Sequence, residues 1–97
     1  MNQYSNKTQS ILDQTTIWEN VGIICTIYRI SDKFFLEEAN PTDENFPGCL
    51  DNYEIVIPDI IRKEFLRLLG SSNYVRNLEL SVNITEIDGS FTVTYTA

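Results

Sequence analysis

The sequence predicts a single α+β domain, a mostly antiparallel sheet of about four to six strands with one helix, residues 58–69, packed on one face. Three observations predict it. Asp88-Gly89 is a two-residue turn signal between alternating apolar segments, which is the signature of a hairpin. Pro58 and Gly70 bracket an apolar stripe at helical spacing. Residues 21–30 are β-branched and apolar, as in a strand at the centre of a sheet.

Taken in order, residues 1–10 are polar and read as a flexible arm, leaving 11–97 as the single domain. Thr15-Thr16-Ile17-Trp18 favours a strand ending near Glu19-Asn20, although Ile11, Leu12 and Trp18 also fit one helix face. Residues 21–30 are apolar on both alternation phases: Val21, Ile23, Cys25 and Ile27 on one, Ile24, Tyr28 and Ile30 on the other. That pattern predicts a strand covered on both sides. Ser31-Asp32-Lys33 is a turn, and Phe34-Phe35-Leu36 returns as the next strand. Residues 39–52, with Pro41, Pro47 and Gly48, read as a long loop, and loops of that length are often functional. Tyr53 to Ile57 is a short strand.

In the helix, Pro58 suits the first position and Asp59 complements the dipole. Ile61, Phe65, Leu68 and Leu69 are expected to share the buried face, while Ile60 and Leu66 project away from it. Counting back from Asp88-Gly89 pairs Thr85 with Thr92, Ile84 with Val93, Asn83 with Thr94 and Val82 with Tyr95. Leu80, Val82, Ile84, Val93 and Tyr95 then face the core.

Composition narrows the function. Ninety-seven residues with 42% hydrophobic content make a globular chain, and a net charge of −7 disfavours direct binding to nucleic acid or an anionic membrane. The first eight residues are polar, and no apolar run approaches the roughly 18–20 residues that cross a bilayer, so a cytoplasmic location is expected. Cys25 and Cys49 are expected to be free thiols there. There is no histidine, hence neither the commonest general base nor the commonest transition-metal ligand. With no Walker A, dinucleotide or nucleophile-elbow spacing either, no enzyme and no cofactor are expected.

The chemistry-bearing feature is charge. Between Phe34 and Ile61 lie seven acids (Glu37, Glu38, Asp43, Glu44, Asp51, Glu54, Asp59) and no base. Arg62, Lys63, Arg67 and Arg76 follow, the first three read as a solvated helix face. Residues 43–54 resemble an EF-hand calcium loop, with Asp43, Asn45, Gly48, Leu50, Asp51 and Glu54 at matching positions. Pro47 stands at a ligand position, however, and the flanks read as strands, so the expectation is an acidic solvated loop with no metal.

The expected activity is that of a small acidic binding protein, an inhibitor, antitoxin, anti-defence or immunity type, that occludes the basic surface of a partner such as a nuclease or another nucleic-acid-acting protein. The expected partner-facing residues are Glu37, Glu38, Asp43, Glu44, Asp51 and Glu54, with Phe46 or Tyr53 as an apolar anchor. The alternative is a self-associating module, a homodimer that pairs through the uncharged C-terminal strand 90–97 as a free edge.

Overall fold

The computed structural model describes residues 6–10, 15–42, 46 and 50–96. The elements are β1 (Asn6–Ser10), β2 (Thr15–Ile30), β3 (Lys33–Pro41), β4 (Glu54–Val56), α1 (Asp59–Leu69), β5 (Tyr74–Ile87) and β6 (Ser90–Tyr95). The domain is α+β, a mostly antiparallel sheet with one helix, as the sequence predicts.

The sheet closes on itself. Its strand order is β1-β2-β3-β4-β6-β5, and β2 also pairs with β5. Five strands therefore form a ring, β2-β3-β4-β6-β5, with β4 and β6 parallel and the other neighbours antiparallel. The helix lies in the chain between β4 and β5, the third and fourth of these five strands in chain order. This is the Greek-key connectivity of an OB-type barrel.

Closure depends on β2, which runs unbroken through the segment that the sequence divides in two. Across Trp18–Val21 it carries one residue more than β5, and Asn20 takes φ 56° with its N–H donating to Asn83 Oδ1. Two further bulges follow. β5 gains a residue opposite Cys25–Ile27, where Asn77 has φ 58°, and β3 gains one opposite Ile24–Thr26, where Glu38 has φ 52°. Each bulge bends its strand and sharpens the twist, which curls the sheet into a barrel. The expected arm over residues 1–10 is a strand from Asn6 onward, paired from Asn6↔Glu19 to Ser10↔Thr15.

The interior is filled in register. Trp18, Ile84, Val93, Ile55 and Phe34 are successive cross-strand partners, all buried. The β5–β6 register is the one counted from the turn, and Asp88 and Gly89 both take positive φ, as a type I′ turn needs. Phe65 of α1 meets Phe34 and Tyr95 edge-on at 5.0 and 4.8 Å, and this seats the helix against the barrel. The helix buries Phe65 and Leu69, with Ile61 and Leu66 partly covered. Leu68 is half exposed rather than buried, because the stripe follows the i, i+4 steps 61, 65 and 69.

Candidate functional site

Period-two alternation sends one phase of each barrel strand inward and the other outward. On β2 the inward phase is Val21, Ile23, Cys25 and Ile27, all buried. Burial pushes the Cys25 thiol up to about 11, so it is an inert core group. The outward phase is Ile24, Tyr28 and Ile30. The sequence predicts a cover over this second phase, but Ile24 is 41% and Ile30 59% exposed. A closed barrel has no second layer on its outside.

An aromatic row crosses this outer face. Tyr28 pairs with Tyr74 of β5 on one side and with Phe35 of β3 on the other, and Phe35 pairs in turn with Glu54 of β4. The Tyr28 and Phe35 rings stack, with centroids 5.4 Å apart and planes 19° from parallel. Tyr74 donates its hydroxyl to Glu37 Oε1 at 2.7 Å, and the Arg76 guanidinium lies over the Tyr74 ring, 5.3 Å from its centroid. The hydrogen bond to Glu37 raises the Tyr74 pKa by favouring the protonated phenol.

Carboxylates rim the row. Among the described residues the ion pair present is Arg67–Glu64 at 2.9 Å, within the helix and exposed at both ends. Such a pair contributes little. Glu37, Glu38, Asp51, Glu54 and Glu79 therefore carry charge that no ion pair within the described residues neutralises. Of the bases, Arg76 stands at the Tyr74 end of the row, and two others lie away from it. Arg29 and Arg62 both lie over the Phe34 ring, at 5.7 and 5.5 Å, and donate to the Ser31 and Asp32 carbonyls. Arg62 thus covers core rather than forming part of a purely solvated helix face.

The expected interface residues separate on this map. Glu37 and Glu54 border the aromatic row, and Glu38 is exposed at the β3 bulge. Asp51 Oδ1 accepts the Ala39 N–H at 3.0 Å, which ties the segment after the loop to β3. Leu36 N–H→Tyr53 O and Asn52 N–H→Leu36 O, at 2.8 and 2.7 Å, extend the same seam. Phe46 is not an exposed anchor. It is 4% exposed, edge-on to Trp18 at 5.2 Å and to Phe91 at 5.6 Å. Tyr53 is half-buried against Phe91 at 5.9 Å. Both rings pack on Phe91. Asp43, Glu44 and Cys49 lie outside the described residues.

Sequence reasoning missed Tyr28, Phe35 and Tyr74. The Phe34-Phe35 doublet carried the signal, because neighbours in a strand face opposite sides and one of the two must point away from the core. Phe34 is the buried one.

A shallow depression of about 290 Å³ lies between β2 and β5, lined by Gly22, Ile24, Thr42, Glu79 and Ser81 among others. The Ser81 hydroxyl is engaged by Thr96 Oγ1 at 3.1 Å. Among the described residues no group of His, Cys, Asp and Glu could hold a metal, and no helix is long and apolar enough to cross a membrane. Compared with known proteins, the chain matches no family model, no curated protein and no solved structure.

Proposed function

We propose that this chain is a small, acidic, non-enzymatic binding protein of the inhibitor or immunity type, one that occludes a basic, nucleic-acid-binding surface on a partner protein. The observation that supports the reading best is the set of carboxylates without ion pairs among the described residues, Glu37, Glu38, Asp51 and Glu54, of which Glu37 and Glu54 border an aromatic row exposed at Tyr74 and half-buried at Tyr28 and Phe35. Unneutralised carboxylates project a field that steers a basic partner into encounter and repels phosphate. Glu38 adds a second support. A left-handed position suits Gly or Asn far better than Glu, and strain of this kind concentrates at functional positions.

The self-association reading has less support, because β6 pairs with β5 along its length and with β4 at Val93 and Thr94, which leaves only part of it as an edge.

The test is affinity capture from the source cells, followed by binding kinetics of the captured partner at two ionic strengths. Glu38, Asp43, Glu44 and Glu54 are replaced together by Gln or Asn. The expected result is a slower on-rate and a shallower salt dependence, with folding intact. Wild-type association at low salt would reduce the acidic stretch to a solubilising face.

A further inference from the structure

We propose that the outer aromatic row is an arginine-reading surface: a guanidinium of a basic partner segment lies on the stacked Tyr28–Phe35 pair and is paired by the carboxylate of Glu54. The inference rests on the reading above that the partner is basic, and it names what the partner presents.

Three observations carry it. The first is geometric. Tyr28 and Phe35 are cross-strand neighbours stacked at 5.4 Å, a broad π surface of the kind on which a planar cation rests. The second is electrostatic. Glu54 is the direct cross-strand partner of Phe35, and Glu37 stands two residues further along β3 on the same outer phase. A ring bordered by carboxylates attracts a guanidinium and repels a nucleic-acid backbone, although aromatic rows on barrels of this topology are otherwise suited to stacked bases. The third is an internal example. Arg76 already lies over Tyr74, and the Tyr74 hydroxyl is held by Glu37. The same three parts, guanidinium, ring and glutamate, thus occur together one strand away.

Arginine is favoured over lysine because its delocalised plane stacks on rings and forks onto carboxylates, whereas an ammonium is a compact, strongly hydrated point charge. The partner segment is therefore expected to depend on arginine in particular and not on positive charge alone.

The test uses the intact chain with three probes, a hexa-arginine peptide, a hexa-lysine peptide and a single-stranded oligonucleotide, followed by NMR shifts and by titration. Hexa-arginine is expected to bind at least fivefold more tightly than hexa-lysine and to move the ring resonances of Tyr28 and Phe35. Phe35→Ala should weaken hexa-arginine binding about tenfold and leave hexa-lysine unchanged. Glu54→Gln, which keeps the ring and the strand intact, should remove most of the arginine preference even if Phe35→Ala folds poorly. Equal affinity for the two peptides, or retained preference in Glu54→Gln, would overturn the proposal. So would ring shifts produced by the oligonucleotide instead. These outcomes are separable from the broader reading. A captured partner whose on-rate falls on charge neutralisation, but whose off-rate ignores Phe35→Ala, would keep the acidic binding function and reject the arginine surface.

Discussion

Phe65→Ala is the most direct perturbation of the architecture, because Phe65 is the most deeply buried of the side chains that seat the helix on the barrel. Phe65 is fully buried and meets Phe34 and Tyr95 edge-on at 5.0 and 4.8 Å. Truncating a buried Phe removes its transfer free energy and leaves a cavity, which together cost about 3–5 kcal/mol. Two aromatic contacts, each worth about 0.5–1.5 kcal/mol beyond area, place the expectation in the upper half of that range. The cavity will not collapse easily, since Phe34 is fixed by the β3–β4 pairing and Tyr95 by the β5–β6 pairing. Urea unfolding followed by Trp18 fluorescence gives the free energy, with Ile60→Ala as the control. Ile60 lies on the same helix but is 91% exposed, so its truncation should cost under about 0.5 kcal/mol. In a domain of this size the Phe65 loss corresponds to a fall in Tm on the order of 20 °C. A loss below about 1 kcal/mol would mean that the helix is peripheral and that the packing described is wrong.

Glu38→Asn should stabilise the fold by about 0.5–1 kcal/mol, because Asn tolerates the left-handed conformation better, while slowing association with the captured partner; equal or lower stability in a thermal melt would argue against strain at the bulge. Gly22→Ala places a Cβ 2.8 Å from Thr42 Oγ1, which now donates to the Gly22 carbonyl, so the hydroxyl must swing away at a cost of about 1 kcal/mol. Adding Thr42→Ala should make the further loss small, and additive losses in the double variant would refute the contact. For Tyr74, ultraviolet titration should show one phenol ionising above its ordinary value and returning toward it in Glu37→Gln. The sign follows from proton linkage: the folded state holds this proton more tightly, so the contribution is complete below the ordinary tyrosine pKa and fades as pH rises through the raised value. A titration unchanged by Glu37→Gln would remove the hydrogen bond from the account.

Local chemistry made much of this fold legible. The β5–β6 register follows from Asp88-Gly89 because a two-residue turn leaves no freedom in the count, and the buried set Leu80, Val82, Ile84, Val93 and Tyr95 follows from the register. Pro58 and Gly70 mark the helix ends for the same kind of reason, as Gly70 takes φ 66° beyond the last turn. Closure was not legible. It depends on β2 pairing with β3 and β5 at once, a relation between residues as distant as Thr15 and Ile87, and on bulges at Asn20, Glu38 and Asn77 that no short-range pattern announces. The acidic stretch was visible as a run of charge, but the burial of Phe46, expected as an exposed apolar anchor, was not. Phe46 stands among the acids in sequence, yet its ring is buried against Trp18 and Phe91.

The cover expected over the outer phase of β2 fails for a physical reason with wider use. A strand apolar on both phases is ordinary in an open sheet layered between helices, where both faces are buried. In a closed barrel each strand has a single interior phase, and apolar residues on the other add nothing to the core. They expose hydrophobic surface at a cost in solubility, which the net charge of −7 offsets. Ile24 and Ile30 on β2 and Tyr74 on β5 are exposed, while Tyr28 and Phe35 are half-buried and stacked on each other outside the core. Truncating Tyr28 should cost far less stability than truncating inward Ile27, its immediate neighbour on the same strand. The two variants share backbone, strand and solvent, so any difference in unfolding free energy isolates the direction in which the side chain points. If Tyr28→Ala proved as damaging as Ile27→Ala, the outer row would be a second core layer awaiting its cover within this chain, and the case for a partner-facing surface would fall with it.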